Sequence, residues 1–164
     1  MMIDRNRIRM ARMVVLVGML LVGPLWASFT WTGDGGNNLA STGGNWFGGV
    51  APTGVSTDVI VLDGTSGGNP TKSMTWDVGL TAGSWSQTSS YTGTVTINTT
   101  YAGSQTFTVT NTGGASGDVT LDGGTWVHSG NTSSETNRLN VHVDGNLSIG
   151  DGGTISASGL GYGI

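Results

Sequence analysis

Between residues 94 and 122 one short pattern occurs three times, as TVTIN (94–98), TFTVT (106–110) and DVTLD (118–122). In each, two apolar side chains alternate with polar ones, the period of a strand with one face buried. The couplets Val95/Ile97, Phe107/Val109 and Val119/Leu121 are spaced 12 residues apart. LNVHV (139–143) and NLSI (146–149) continue the alternation, and DVIVL (58–62) and KSMTWD (72–77) read as earlier strands. TAGSWSQTSS (81–90) reads as a loop or a ragged strand. Past the N-terminal segment no window holds a period of 3.6 residues, so the expected class is all-β.

The 12-residue step breaks at Asn131, and a longer interval of 22 to 24 residues runs from Val95 through Val119 to Val141. Such a recurrence predicts a parallel β-helix, a β-solenoid whose coils each carry two or three short strands. The 12-residue offset then separates strands on neighbouring sheets of one coil. Outward Thr residues of successive coils would align in ladders, and Val95, Ile97, Phe107, Val109, Val119, Leu121, Val141 and Val143 would share one interior. The alternative for the same strands is an antiparallel β-sandwich. Composition suits tight corners, because 30 of the 164 residues are Gly and only 10% are charged.

Residues 1–27 read as a signal peptide. Arg5, Arg7, Arg9 and Arg12 precede the apolar run MVVLVGMLLVGPLW (13–26), and Ala27 offers a cleavage point. The run is shorter than the roughly 20 residues of a membrane-spanning helix, so no membrane span is expected after signal removal. The implied location is secreted or cell-surface. The absence of Cys favours an exported bacterial protein over a disulfide-built eukaryotic one. Beyond residue 27 only Lys72 and Arg138 are basic, against nine acidic residues. Nucleic acid is therefore excluded as a partner.

Residues 28–57 read as an irregular N-terminal cap, with Trp31, Trp46 and Phe47 covering an open end of the coils that occupy 58–164. The order WTGDG (31–35), Asn45-Trp46, Pro52 and Asp58-Val59 resembles the opening of secreted bacterial parallel β-helix surface proteins of the autotransporter-passenger type. LSIGDGGTISASGLGYG (147–163) is similar to their coil repeats. The resemblance implies the N-terminal portion or a fragment of such a protein, placed at the cell surface, and implies no substrate. Ile155 opens a couplet that is not completed, so the C-terminal end is expected to be open or truncated, and to fray or to associate end to end.

Candidate sites are sparse. The chain has no Gly-x-Ser-x-Gly, His-Glu-x-x-His or P-loop motif. Asp118 and Asp122 flank one strand four residues apart, and with Arg138 they are the candidates for acid–base work on a polysaccharide. His128 and His142, with Asp118, Asp122 or Asp144, are the candidate ligands of a metal. Trp76, Trp85 and Trp126 are the candidate platforms for stacking a sugar. GGASGD (113–118) partly matches a calcium-binding nonapeptide, and Asp34 with Asn37 and Asn38 could make an adventitious site. The expectation is of no cofactor, calcium being the one ion the sequence leaves room for. The functional expectation is a noncatalytic extracellular or cell-surface scaffold or adhesin, whose partners would be surface glycans or cell-envelope components. The alternatives are a polysaccharide-active β-helix enzyme or its remnant, or a carbohydrate-binding module.

Overall fold

The structure is a computed structural model that describes residues 26–68 and 70–161. The basic and apolar segment of the signal peptide lies outside the described residues, apart from Trp26 and Ala27. The described chain is all-β. Its helical content is two three-residue 3-10 turns, Gly43–Asn45 and Ser66–Gly68.

Fourteen short strands follow one another: β1 (Ala27–Thr30), β2 (Asp58–Leu62), β3 (Met74–Trp76), β4 (Thr81–Ala82), β5 (Ser84–Gln87), β6 (Thr94–Ile97) and β7 (Thr99–Thr100). After them come β8 (Phe107–Val109), β9 (Val119–Leu121), β10 (Thr125–Val127), β11 (Asn137–Arg138), β12 (Val141–Val143), β13 (Leu147–Ile149) and β14 (Thr154–Ile155). They assemble into three parallel sheets, β1-β2-β5-β9-β13, β14-β10-β6-β3 and β12-β8-β4. Only β7 and β11 pair antiparallel among the described strands, so the sheets are not those of an antiparallel sandwich. The segment 81–90 is ordered as β4 and β5, and β1 joins a parallel sheet from within the expected cap region.

Val95, Phe107 and Val119 fall on three different sheets, in β6, β8 and β9. The 12-residue step therefore does carry the chain from one sheet to the next. The interval of 22 to 24 residues does not mark partners within a sheet. Val141 lies beside Phe107 and not beside Val119, whose neighbour is Leu147. The loop at 129–137 lengthens that pass and displaces the register.

Parallel pairing in register stacks like side chains into columns. Phe29, Ile60, Trp85, Val119 and Leu147 form one, and Met74, Val95, Trp126 and Ile155 another. Outside, Thr94, Thr125 and Thr154 align, as do Ser86, Thr120 and Ser148, giving the expected hydroxyl rows. Six of the eight residues assigned to the interior are fully buried; Val141 and Val143 are half-buried at its margin. At the centre Trp76, Trp85, Phe107 and Trp126 meet edge to face, with centroids 5.1 to 6.0 Å apart. Gln87 is buried among them. Its Oε1 accepts from the indole N–H groups of Trp85 (3.0 Å) and Trp126 (2.5 Å), and its Nε2 donates to the Gly123 carbonyl (2.7 Å). One side chain thus satisfies two donors that burial would otherwise leave costly.

The segment 31–57 closes one end of the stack. Trp31 and Trp46 are buried edge to face at 5.1 Å. Ala40 N–H donates to Thr75 O, and Thr75 N–H to Asn38 O, which occupies the outer edge of β3. Phe47, expected to help cover this end, is instead 78% exposed. Its backbone N–H bonds Thr30 O, and alternation along 46–47 then turns its ring away from Trp46. At the other end β12, β13 and β14 are the last strands of their sheets.

Candidate functional site

Asp118 and Asp122 lie on either side of β9. Four residues of extended chain separate their Cα atoms by roughly 13 Å, whereas paired carboxylates in glycoside hydrolysis stand roughly 5–9.5 Å apart. Each has a corner to hold. Asp118 Oδ1 accepts from the backbone N–H (2.7 Å) and side-chain amide (3.2 Å) of Asn146. These bonds, the backbone one first, hold its carboxyl below the usual carboxylate range. Asp122 lies against Gly150, where a Cβ would meet its Oδ1 at 2.6 Å. Arg138 is in β11, beside β7, with its guanidinium 5.2 Å from the ring centroid of Tyr101. Neither aspartate makes an ion pair or a hydrogen bond with it, so the acid–base trio is not assembled.

The metal candidates are dispersed too. His142 and Asp144 form an exposed pair at 2.9 Å. The Thr110 hydroxyl, then His142 and the Asn111 backbone N–H, lower the Asp144 pKa against a partial desolvation. His128 does not join them. It was expected to be an exposed strand residue, but it is buried at the end of β10, with Nδ1 bonded to the Ser129 carbonyl at 2.8 Å. Among the described residues no group of three or more His, Asp or Glu side chains could hold a metal ion. Asp34 is engaged by Lys72 at 2.5 Å, and Asn37 and Asn38 bond Thr42 and Thr75. In the 113–118 segment, positive φ at Gly113, Gly114 and Gly117 shapes a turn, with only Asp118 supplying a carboxylate.

The three sugar platforms are corrected by burial. Trp76, Trp85 and Trp126 are at most 4% exposed, so no indole face is free to stack on a pyranose. Their spacing is that of core residues, because each occupies an inward column.

What the sequence did not signal is a cleft between the passes that end in β11 and β14. Two adjoining cavities, of about 340 and 230 Å3, share His128, Arg138 and Ala157 as walls. Leu139 and Ile155 line the larger, and Glu135, Asn131 and Leu160 the smaller. Asn131 fixes the wall between them. Its Oδ1 accepts from the backbone N–H groups of Thr136 (2.8 Å) and Asn137 (2.7 Å), and its Nδ2 donates to the carbonyls of Asn137 and Leu160. Residues 128–139 and 155–161 meet only in three dimensions, and no short motif could have announced them.

Neither a family model, nor a curated protein, nor a solved structure was found to match this chain.

Proposed function

We propose that the chain is a noncatalytic extracellular or cell-surface β-solenoid, acting as a scaffold or adhesin. The observation that carries the reading is the repeated order of the parallel sheets. The chain visits β6, β8 and β9 in turn, then β10, β12 and β13, each strand lying in register beside its counterpart one pass earlier. A stack of this kind is built by repetition and offers length and regular faces rather than one enclosed active site. The wide separation of Asp118 from Asp122, and the commitment of Asp118 to Asn146, are consistent with a role without chemistry. The basic and apolar opening of the sequence and its resemblance to autotransporter-like passengers support placement at the surface. Glycans or envelope components are the proposed partners along the hydroxyl-rich faces, with no cofactor required.

The end that carries β12, β13 and β14 extends this reading. Leu147, Ile149 and Ile155 continue inward columns whose previous members, Val119, Leu121 and Trp126, are fully buried. Exposed strand edges above an apolar column favour addition of further strands, so this end is the proposed seat of end-to-end association. The test is surface fractionation of a bacterial host expressing the full chain, together with a screen of the purified protein against acidic glycans with calcium added. Exposure to protease on intact cells without glycan cleavage is expected. Glycan cleavage that disappears in Asp118→Asn or Asp122→Asn would replace the scaffold with an enzyme.

A further inference from the structure

We propose that the cleft bounded by His128, Arg138 and Leu139 on one side and Ile155, Ala157 and Leu160 on the other binds a carboxylate carried on a small aliphatic body, such as a polypeptide C-terminus ending in a branched aliphatic residue.

The argument starts from Arg138. Of the two basic residues beyond position 27, Lys72 is paired with Asp34. Arg138 is half-buried, and none of the described residues accepts a hydrogen bond from its guanidinium. Its Nε is shielded from solvent without any partner. An unpartnered buried donor is costly, more so on a charged group. The position is nonetheless fixed. The Arg138 carbonyl accepts from Thr99 Oγ1 at 2.9 Å, β11 pairs with β7, and the guanidinium lies over the Tyr101 ring. The chain is rich in carboxylates, yet none of the described ones reaches it, and even Glu135, on the wall of the same cleft, makes no ion pair with it. Arg is suited to a planar carboxylate, which it can bind through two parallel N–H donors.

The rest of the cleft defines what the carboxylate is attached to. Leu139, Ile155, Ala157 and Leu160 supply an apolar wall, and the larger cavity is within the size range of small-molecule sites. His128 adds a second polar group. With Nδ1 donating to the Ser129 carbonyl, its Nε2 is left for a ligand. A sugar acid would press hydroxyls against the aliphatic wall and strip them of water without replacement hydrogen bonds. An aliphatic carboxylate has no such penalty. The Asn131 clamp holds the loop 131–137 before any ligand arrives, so little ordering is required on binding.

The experiment titrates the full chain with N-acetyl-leucine, N-acetyl-leucinamide and glucuronate at millimolar concentrations, followed by amide chemical shifts and calorimetry. Saturable binding of N-acetyl-leucine is expected, with shifts grouped at 128, 138–139 and 155–160. The leucinamide, which lacks the carboxylate, should bind at least about tenfold more weakly, and glucuronate should also bind more weakly. Arg138→Gln should lose about tenfold in affinity with its melting temperature unchanged. Should that variant fail to fold, Ala157→Phe fills the cleft from an exposed position without touching the guanidinium, and should abolish binding. Equal binding of the acid and the amide, glucuronate matching N-acetyl-leucine, or binding retained in folded Arg138→Gln or Ala157→Phe would each overturn the proposal, as would the absence of saturable shifts.

Discussion

The two ends of the stack are made from similar strands and finished differently. At the N-terminal end, residues 31–57 fold over the first strands and bury Trp31 and Trp46, while Asn38 and Ala40 take up the outer hydrogen bonds of β3. A buried carboxylate, Asp58, organises the return, its Oδ2 accepting from the backbone N–H groups of Thr53, Gly54 and Val55. At the C-terminal end no aromatic lid covers β12, β13 and β14 among the described residues, and Leu147, Ile149 and Ile155 are 42 to 50% exposed. An inward-facing position is thus not automatically a buried one. Burial requires a neighbour on both sides, and the last pass has one.

The largest expected difference tests that statement within one column. Val119 lies between Trp85 and Leu147 and is wholly buried. Val119→Asp would place a charge there without a partner and should cost at least about 4 kcal/mol, enough to unfold or precipitate the protein. Leu147→Asp, one pass later, should leave the far-ultraviolet spectrum intact and lower the melting temperature only slightly. Equal damage from both would mean that the C-terminal end is covered in solution.

Two asparagine clamps sharpen the contrast. Asn45 is fully buried, accepts from Gly35 N–H at 2.7 Å and donates to Asn37 Oδ1 and Leu39 O. Asn131 makes a similar set of bonds in a partly exposed loop. Asn45→Ala should destabilise by about 2–4 kcal/mol, because buried groups lose their partners, and Asn131→Ala by about 1 kcal/mol, because water replaces them. Chemical denaturation of the two variants under one set of conditions makes the comparison.

Glycines divide in the same way. Gly54 and Gly159 both adopt positive φ, +78° and +69°. A Cβ on Gly54 would lie 2.2 Å from the Gly79 carbonyl oxygen, whereas one on Gly159 would meet nothing within 4 Å. Gly159→Ala should therefore cost only the backbone strain, about 1 kcal/mol, and Gly54→Ala clearly more. Thermal melts giving the opposite order would remove the tight approach of the 53–54 turn to the next pass.

The smallest effect is one of pH, and it belongs to the C-terminal half. Asp118 and Asp144 ionise more readily folded than unfolded. Their stabilisation is present above the unfolded carboxylate pKa of about 3.9 and is lost as pH falls through the lowered folded values. In Asp118→Asn or Asp144→Asn, the loss of stability on acidification below that value should be shallower than in the parent chain. An unchanged acid limb would show that neither carboxylate is held as described.

The alternation of Val, Ile, Leu and Phe in 94–122 was sufficient to identify β6, β8 and β9 and their inward faces, because period two is a property of the strand itself. The 12-residue step correctly placed them on different sheets. Where reasoning from spacing failed, the cause was loop length. The 129–137 excursion shifted the partner of Val141 to Phe107, and the Trp residues assigned to sugar binding at 76, 85 and 126 fell on inward columns. His128 was misjudged because alternation was not followed past Trp126 into the end of β10. Gln87 gave no sign of its place in the core, since its partners come from residues 85, 123 and 126.

By itself, then, the sequence determined the all-β class, the faces of its regular strands, the acidity of the chain beyond residue 27 and the lack of short catalytic motifs. These follow from local geometry and from residue chemistry, which any stretch of chain carries with it. Which passes lie side by side, which end is covered, and the gathering of His128, Arg138 and Leu160 around one cleft were decided by the tertiary structure. They depend on the lengths of irregular loops and on contacts between residues tens of positions apart, for which no local pattern holds the information.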